Sequence, residues 1–250
     1  MACATRGRKE EEIELTRLVE EDELRLFQLC PALLRFSRED RVTPEEDPFS
    51  ETLLTSLRWI WTRITRTGFI PKRKVIRQQW AVLVTKSGQS KRLDKAELDG
   101  ILVDGAVTLM SIFDDVLDGS LNLVTGKIPV DLRYDGRILR TYPEATLLDR
   151  ELRPVILNYI PSGRVKEFSN DIVSRARVLA MHKQLKRPVT VINYRLRPYG
   201  KRVYSSEILC DDRLDTDLAH ATRAISDGYG IPPTICPLGA SCLFYRECYY

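Results

Sequence analysis

The spacing of apolar residues along the chain predicts five helices. In each of them, apolar positions recur every three or four residues, which is the period of a helix with one buried face. Asp94 and Glu97 also have the spacing of a capping box, so we expect the third helix to begin at Asp94. The five predicted helices span residues 10–29, 50–66, 94–119, 163–186 and 214–228.

Shorter apolar runs, bounded by turn residues, predict strands. Asp135-Gly136 suits the positive φ angles of a two-residue hairpin turn, and residues 197–201 form a second hairpin loop with a glycine at its permissive position. A strand, the fourth helix and another strand then follow one another as a right-handed βαβ unit. The predicted strands span residues 75–85, 128–134, 137–142, 154–160, 189–196 and 202–209.

This order of elements predicts an α+β fold. We expect a mixed sheet with a βαβ unit and hairpins, preceded by two N-terminal helices. The expected organisation is a disordered start (1–9), a helical N-terminal arm (10–68), an α+β domain (69–230) and a tail rich in cysteine and aromatic residues (231–250).

Composition places the chain among ordinary globular proteins. Hydrophobic residues make up 43% and charged residues 30% of its 250 residues, which argues against wholesale disorder and fibrous repeats. No run approaches the ~18 apolar residues that a membrane span needs. The first twenty residues are charged, so we expect no secretory signal peptide and an intracellular protein, cytoplasmic or nuclear.

The net charge of +4 conceals an uneven distribution of charge. Residues 52–92 hold ten Lys or Arg and no acid, and residues 172–206 hold nine and no acid. Long basic stretches without carboxylates are typical of surfaces that bind polyanions. The alternative is that they pair inside the fold with acidic stretches, such as residues 10–51, which carry a net charge of −9.

Aromatic residues are interleaved with these cations, which favours nucleic acid, RNA in particular, as the polyanion. Guanidinium groups fork onto phosphates and rings stack on unpaired bases, although an anionic membrane surface would use the same cations. The predicted stacking rings are Trp59, Trp80, Tyr194, Tyr199 and Tyr204. The predicted phosphate contacts are Arg58, Arg63, Arg66, Lys72, Arg73, Lys74, Arg77, Lys183, Lys186, Arg187, Arg195, Arg197, Lys201 and Arg202.

Two aspartate clusters suggest a different chemistry. Residues 114–118 and 211–215 both read Asp-Asp-x-x-Asp, and such clusters facing one cavity hold Mg²⁺ ions on a diphosphate. The pair resembles the two aspartate-rich motifs of isoprenyl diphosphate synthases, which implies a Mg²⁺-dependent enzyme. The alternative for residues 211–215 is that the carboxylates cap the start of a helix, and for residues 114–118 that they lie on a solvated helical turn.

Three cysteines near the C-terminus have close and regular spacing. Cys236, Cys242 and Cys248 are each separated by five residues, and thiolates so spaced can surround a Zn²⁺ ion if a fourth ligand joins them. The segment resembles CCCH-type zinc fingers but has no histidine after the third cysteine, so His220 or Cys210 would complete the set. The alternative is a tail with free thiols, and no other cofactor is expected.

Few other residues point to catalysis. The chain has two histidines and lacks the glycine-rich phosphate loops and the nucleophile elbow of common enzyme families. We therefore expect a non-enzymatic interaction protein that binds nucleic acid or another polyanion, similar in type to viral matrix, movement or accessory proteins. Its N-terminal helix or C-terminal tail would engage a protein partner. The alternatives are the Mg²⁺-dependent enzyme and a zinc-containing adaptor.

Overall fold

A computed structural model describes residues 17–38, 48–87, 94–160, 172–195, 202–207 and 212–228. Within these ranges the chain forms seven helices and eight strands, and the expected α+β class is confirmed. The helices are α1 (Glu21–Leu29), α2 (Pro31–Arg38), α3 (Pro48–Thr67), α4 (Arg73–Lys86), α5 (Lys95–Leu117), α6 (Ile172–Leu185) and α7 (Asp212–Ser226). The strands are β1 (Arg17–Glu20), β2 (Asn122–Gly126), β3 (Val130–Tyr134), β4 (Arg137–Thr141), β5 (Ala145–Leu148), β6 (Pro154–Ile160), β7 (Thr190–Arg195) and β8 (Arg202–Glu207).

The strands form two mixed sheets. The larger has the order β2-β5-β6-β7-β8, in which only β6 and β7 are parallel, and α6 connects those two strands as the predicted βαβ unit. The smaller has the order β1-β4-β3, with β1 parallel to β4. The hairpin between β3 and β4 turns at Asp135 and Gly136, whose φ angles of 42° and 75° confirm the predicted turn.

The larger sheet separates two hydrophobic cores. Successive side chains of β6 point to opposite faces, so Val155 and Leu157 enter the first core and Ile156 enters the second. The first core lies between the sheet and helices α3, α4 and α5. The second lies between the sheet, helices α1, α6 and α7, and the smaller sheet. Because β6 is covered on both faces, its sequence reads as an apolar run interrupted by Asn158.

A buried ion pair joins α1 to the βαβ unit. Arg177 of α6 donates to both carboxylate oxygens of Glu21, at 2.9 and 2.6 Å, and to Oδ1 of Asn158 at 2.8 Å. The backbone amide of Tyr142 adds a further hydrogen bond to Glu21 at 2.9 Å. Both charged side chains are almost fully buried, and removing them from water is costly. Their mutual hydrogen bonds offset this desolvation cost. The N-terminal helices therefore belong to the same packed body as the sheets.

Two predicted elements are wrong. The strand expected over residues 75–85 is helix α4, which buries Ile76, Trp80 and Val84 at intervals of four residues. The helix expected from residue 10 begins at Glu21, because residues 17–20 instead pair with β4 as strand β1. Strands β2 and β5 were not predicted at all. In both segments the local structure depends on packing or pairing with a distant part of the chain. The intrinsic preferences of the residues for helix or strand do not reveal such partners.

Candidate nucleic-acid interface

The outer face of α3 carries an aromatic ring beside two cations. Its buried face lies in the first core, and Arg63 and Arg66 are exposed on the other side, whereas Trp59 packs against the margin of that core and is half-buried. The guanidinium of Arg63 lies over the indole of Trp59, 5.4 Å from the ring centroid. These three residues, with Thr62 and Thr67, line a groove of about 330 Å³. Neither threonine was predicted as a site residue, although the helical spacing of Thr62 from Trp59 and of Thr67 from Arg63 places them on the same side of α3.

The cations continue through the connection after α3 and along α4. Lys72, Arg73, Lys74 and Arg77 are all exposed. With Arg63 and Arg66 they make up what we call the cationic face. Among the described residues, Asp114 is the one carboxylate in ion-pair contact with this face, through Arg73 at 2.9 Å. The cationic face therefore keeps a positive charge that no described acid neutralises.

Arg58, a predicted phosphate contact, already has a partner within the fold. Its guanidinium donates to both carboxylate oxygens of Glu144, at 3.1 and 2.9 Å. The side chain of Glu144 is 7% exposed, and Lys127 approaches it at 3.9 Å. Burial raises the pKa of Glu144, but the hydrogen bonds and charge of Arg58 outweigh burial and hold that pKa below its ordinary value. Arg58 therefore holds α3 to the start of β5.

Two of the predicted stacking rings are buried. Trp80 and Tyr194 are each 1% exposed. Trp80 donates its indole N–H to the carbonyl of Leu102 at 3.1 Å, and Tyr194 lies beside Tyr159 with ring centroids 6.5 Å apart. A base cannot reach either ring, so the predicted stacking role is not compatible with their positions. Trp59 is half-buried, because it packs against the first core and leaves part of its surface exposed.

The second basic stretch offers less described surface. Lys183 pairs with Asp215, which also accepts a hydrogen bond of 2.9 Å from the hydroxyl of Tyr134. Burial and this carboxylate raise the pKa of Tyr134 far above its ordinary value. Lys186 and Arg187 are exposed at the end of α6. The side chains of Arg195, Arg197, Tyr199, Lys201, Arg202 and Tyr204 lie outside the described residues.

Asp114 and Asp215, one aspartate from each cluster, lie on opposite sides of the larger sheet. Asp114 lies on α5, which packs on one face of the larger sheet, and Asp215 lies on α7, which packs on the other. Each of these two carboxylates is also paired with a cation of the fold. Across the described ranges no group of three His, Cys, Asp or Glu side chains is placed to hold a metal ion. Cys236, Cys242 and Cys248 lie outside those ranges.

Comparison with known proteins leaves the function to be argued from these residues. No protein family matches the chain, and no curated protein is similar to it in sequence. Among solved structures, the crystal structure of SSO0001 is similar with a TM-score of 0.40 and 10% identity, over 93% of this chain and 88% of that chain. A similarity of this size supports no argument about function. In the part of the chain that the structure describes, no helix has the length and apolar character needed to cross a membrane.

Proposed function

We propose that this chain is an interaction protein that binds single-stranded nucleic acid through the cationic face and the groove at Trp59. The observation that carries the proposal is the placement of Arg63 and Arg66 around a partly exposed indole, without a described carboxylate partner. Four further cations follow on the connection and on α4. This combination gives a strand of phosphates several contacts and offers one base an aromatic surface.

The two kinds of contact contribute in different ways. Each Lys or Arg that neutralises a phosphate releases counterions, so affinity falls with salt, with a slope of about −0.7 per contact on a single strand. Stacking of one base on an aromatic ring contributes about 1–3 kcal/mol and does not depend on salt. The guanidinium of Arg63 already lies over the indole of Trp59. An incoming base would therefore either displace this guanidinium from the ring or stack on the guanidinium itself.

An unpaired strand fits this site better than a duplex. In a duplex the bases are stacked on one another, and an aromatic ring reaches them only at the cost of unstacking. The groove of about 330 Å³ runs along a single helix, α3, which a flexible strand can follow. Phosphates on both sides of the stacked base would then meet Arg66 on α3, Lys72 in the connection and Lys74 at the start of α4.

Fluorescence anisotropy with the full chain tests this proposal. The probes are a labelled single-stranded RNA of about 20 nucleotides, the DNA of the same sequence and the matching duplex, each titrated from about 50 to 300 mM salt. We expect the single strands to bind more tightly than the duplex, with a slope near −3 if about four phosphates are contacted. Equal binding of strand and duplex would contradict the role of Trp59. Anionic phospholipid vesicles serve as a further probe. If the chain binds these vesicles and none of the nucleic acids, the ligand of the cationic face is a membrane surface.

A further inference from the structure

A second groove, larger than the one at Trp59, lies between α4 and α5 and is lined mainly by apolar side chains. Its volume is about 630 Å³, within the range of small-molecule sites in proteins. Nothing in the proposed nucleic-acid contact uses its apolar wall. We propose that this groove binds a linear aliphatic carboxylate, with the chain along the apolar wall and the carboxylate at Arg77. The apolar lining consists of Trp80, Ala81, Leu102, Val103, Ala106, Val107 and Met110.

The buried indole of Trp80 lies beneath the groove and holds the two helices that form it. Its N–H donates to the carbonyl of Leu102 at 3.1 Å, and its ring meets Phe49 edge to face with centroids 5.6 Å apart. Gly105 lets α5 lie directly against the same indole. Because the ring is held from three sides, the groove is formed before any ligand enters it. Binding therefore requires little further ordering of side chains, which would otherwise weaken the affinity.

The apolar wall is open to solvent. Val103 is 61% exposed and Val107 is 48% exposed, both on the side of α5 that faces away from the first core. Each apolar atom covered by a ligand there contributes about 25 cal/mol per Å² of surface removed from water. Covering these valines with an aliphatic chain therefore favours binding.

The polar groups of the groove lie together at one end. The two helices pack with the start of α4 beside the end of α5, as the contact between Arg73 and Asp114 shows. Arg77, Ser111 and Asp114 line that end. Among the described side chains that line this end, Asp114 is paired with Arg73, and Arg77 adds a positive charge. That arrangement suits one anionic head group and disfavours a cationic one.

The groove is long enough for an extended chain. Leu102 and Asp114 are twelve residues apart on α5, so the groove follows this helix for about 18 Å. An extended aliphatic chain fits this elongated shape, with its carboxylate at the end that Arg77 lines.

Isothermal titration of the full chain with decanoate, below the concentration at which it aggregates, tests the proposal. We expect saturable binding of one molecule, with 1-decanol and decyltrimethylammonium binding at least about tenfold more weakly because they lack the charge that meets Arg77. Val107→Gln should weaken decanoate binding about fivefold. Val82→Gln, which alters a valine of similar exposure outside the groove, should not.

A second pair of variants tests the head-group contact. Arg77→Gln should weaken decanoate binding about tenfold and remove the preference over 1-decanol. Lys74→Gln removes an exposed cation of the same helix that does not line the groove, and should leave decanoate binding unchanged. Absence of saturable binding, or equal losses from Val107→Gln and Val82→Gln, would overturn the proposal. Val107→Gln should also leave nucleic-acid binding unchanged, which keeps the two proposals separable.

Discussion

The indole of Trp80 occupies the space in which residue 105 has no side chain. A methyl group on Gly105 would lie 2.1 Å from Cζ2 of Trp80, far inside van der Waals contact. Glycine inside a helix costs about 1 kcal/mol relative to alanine. This cost is offset by the close approach of α4 and α5, which buries Trp80 in the first core.

Gly105→Ala should therefore destabilise the protein, although alanine is the better helix former. We expect a loss of about 1–3 kcal/mol in the free energy of unfolding, because the indole must move. Gly100→Ala is the matched control on the same helix, since no atom lies within 4 Å of its Cβ position. It should stabilise by about 0.5–1 kcal/mol. Urea titrations followed by tryptophan fluorescence measure both, and changes of the same sign would contradict this packing.

The pair of Glu144 and Arg58 should make stability depend on pH in the acid range. Because the pKa of Glu144 is lowered by folding, its contribution is present above the pKa of the unfolded chain and is lost as pH falls through the folded value. Below about pH 4.5 the free energy of unfolding of the wild type should fall more steeply than that of Glu144→Gln. Near neutral pH this variant should be less stable by about 1–3 kcal/mol.

Glu151→Gln provides the control for that pH dependence. Glu151 pairs with Arg153 on the surface, where its side chain is 67% exposed. Exposed pairs contribute about 0–1 kcal/mol, so its acid profile should follow that of the wild type. Identical stability profiles for the wild type and both variants would show that Arg58 does not lower the pKa of Glu144.

The buried pair of Glu21 and Arg177 should matter more than any surface pair. Glu21→Gln leaves the guanidinium of Arg177 buried without a counter-charge, and should cost about 3–5 kcal/mol in stability. Asp22→Asn removes the neighbouring charge, which pairs with Arg25 and is 81% exposed, and should cost less than about 1 kcal/mol. Equal losses in urea unfolding would contradict the placement of Glu21 in the interior.

Local sequence signals predicted those elements whose structure depends on nearby residues. The apolar period predicted α3 and α5, and Asp135-Gly136 predicted the first hairpin. Helix α4 was not predicted, because its β-branched residues suit a strand equally well. Only packing against α3 and α5 decides between the two structures.

The candidate site was predictable to the same extent. Trp59, Arg63 and Arg66 fall on one face by helical spacing alone. The partner of Arg58 lies 86 residues away in the chain, and the burial of Trp80 depends on Gly105 of another helix. No local pattern carries information on such pairings. Arg58 and Trp80 were therefore predicted to lie at the surface and to contact nucleic acid.

Substitution of Trp59 separates stacking from charge in the proposed nucleic-acid site. Trp59→Leu should weaken binding of a single strand about tenfold, which corresponds to the loss of one stacked base. The salt dependence should stay unchanged, because no cation is removed. Trp59→Phe keeps a ring and should retain most of the affinity. A loss of affinity in Trp59→Phe as large as that in Trp59→Leu would argue against stacking.

The salt dependence of single-strand binding by the double variant Arg63→Gln and Arg66→Gln tests the central claim most directly. If both residues contact phosphates, the slope of affinity against salt should become shallower by about 1.4, and affinity should fall at low salt. The double variant Arg133→Gln and Arg223→Gln removes the same charge from exposed positions near the smaller sheet and α7, and should keep the wild-type slope. Equal slopes for wild type and both double variants would contradict a nucleic-acid site on α3.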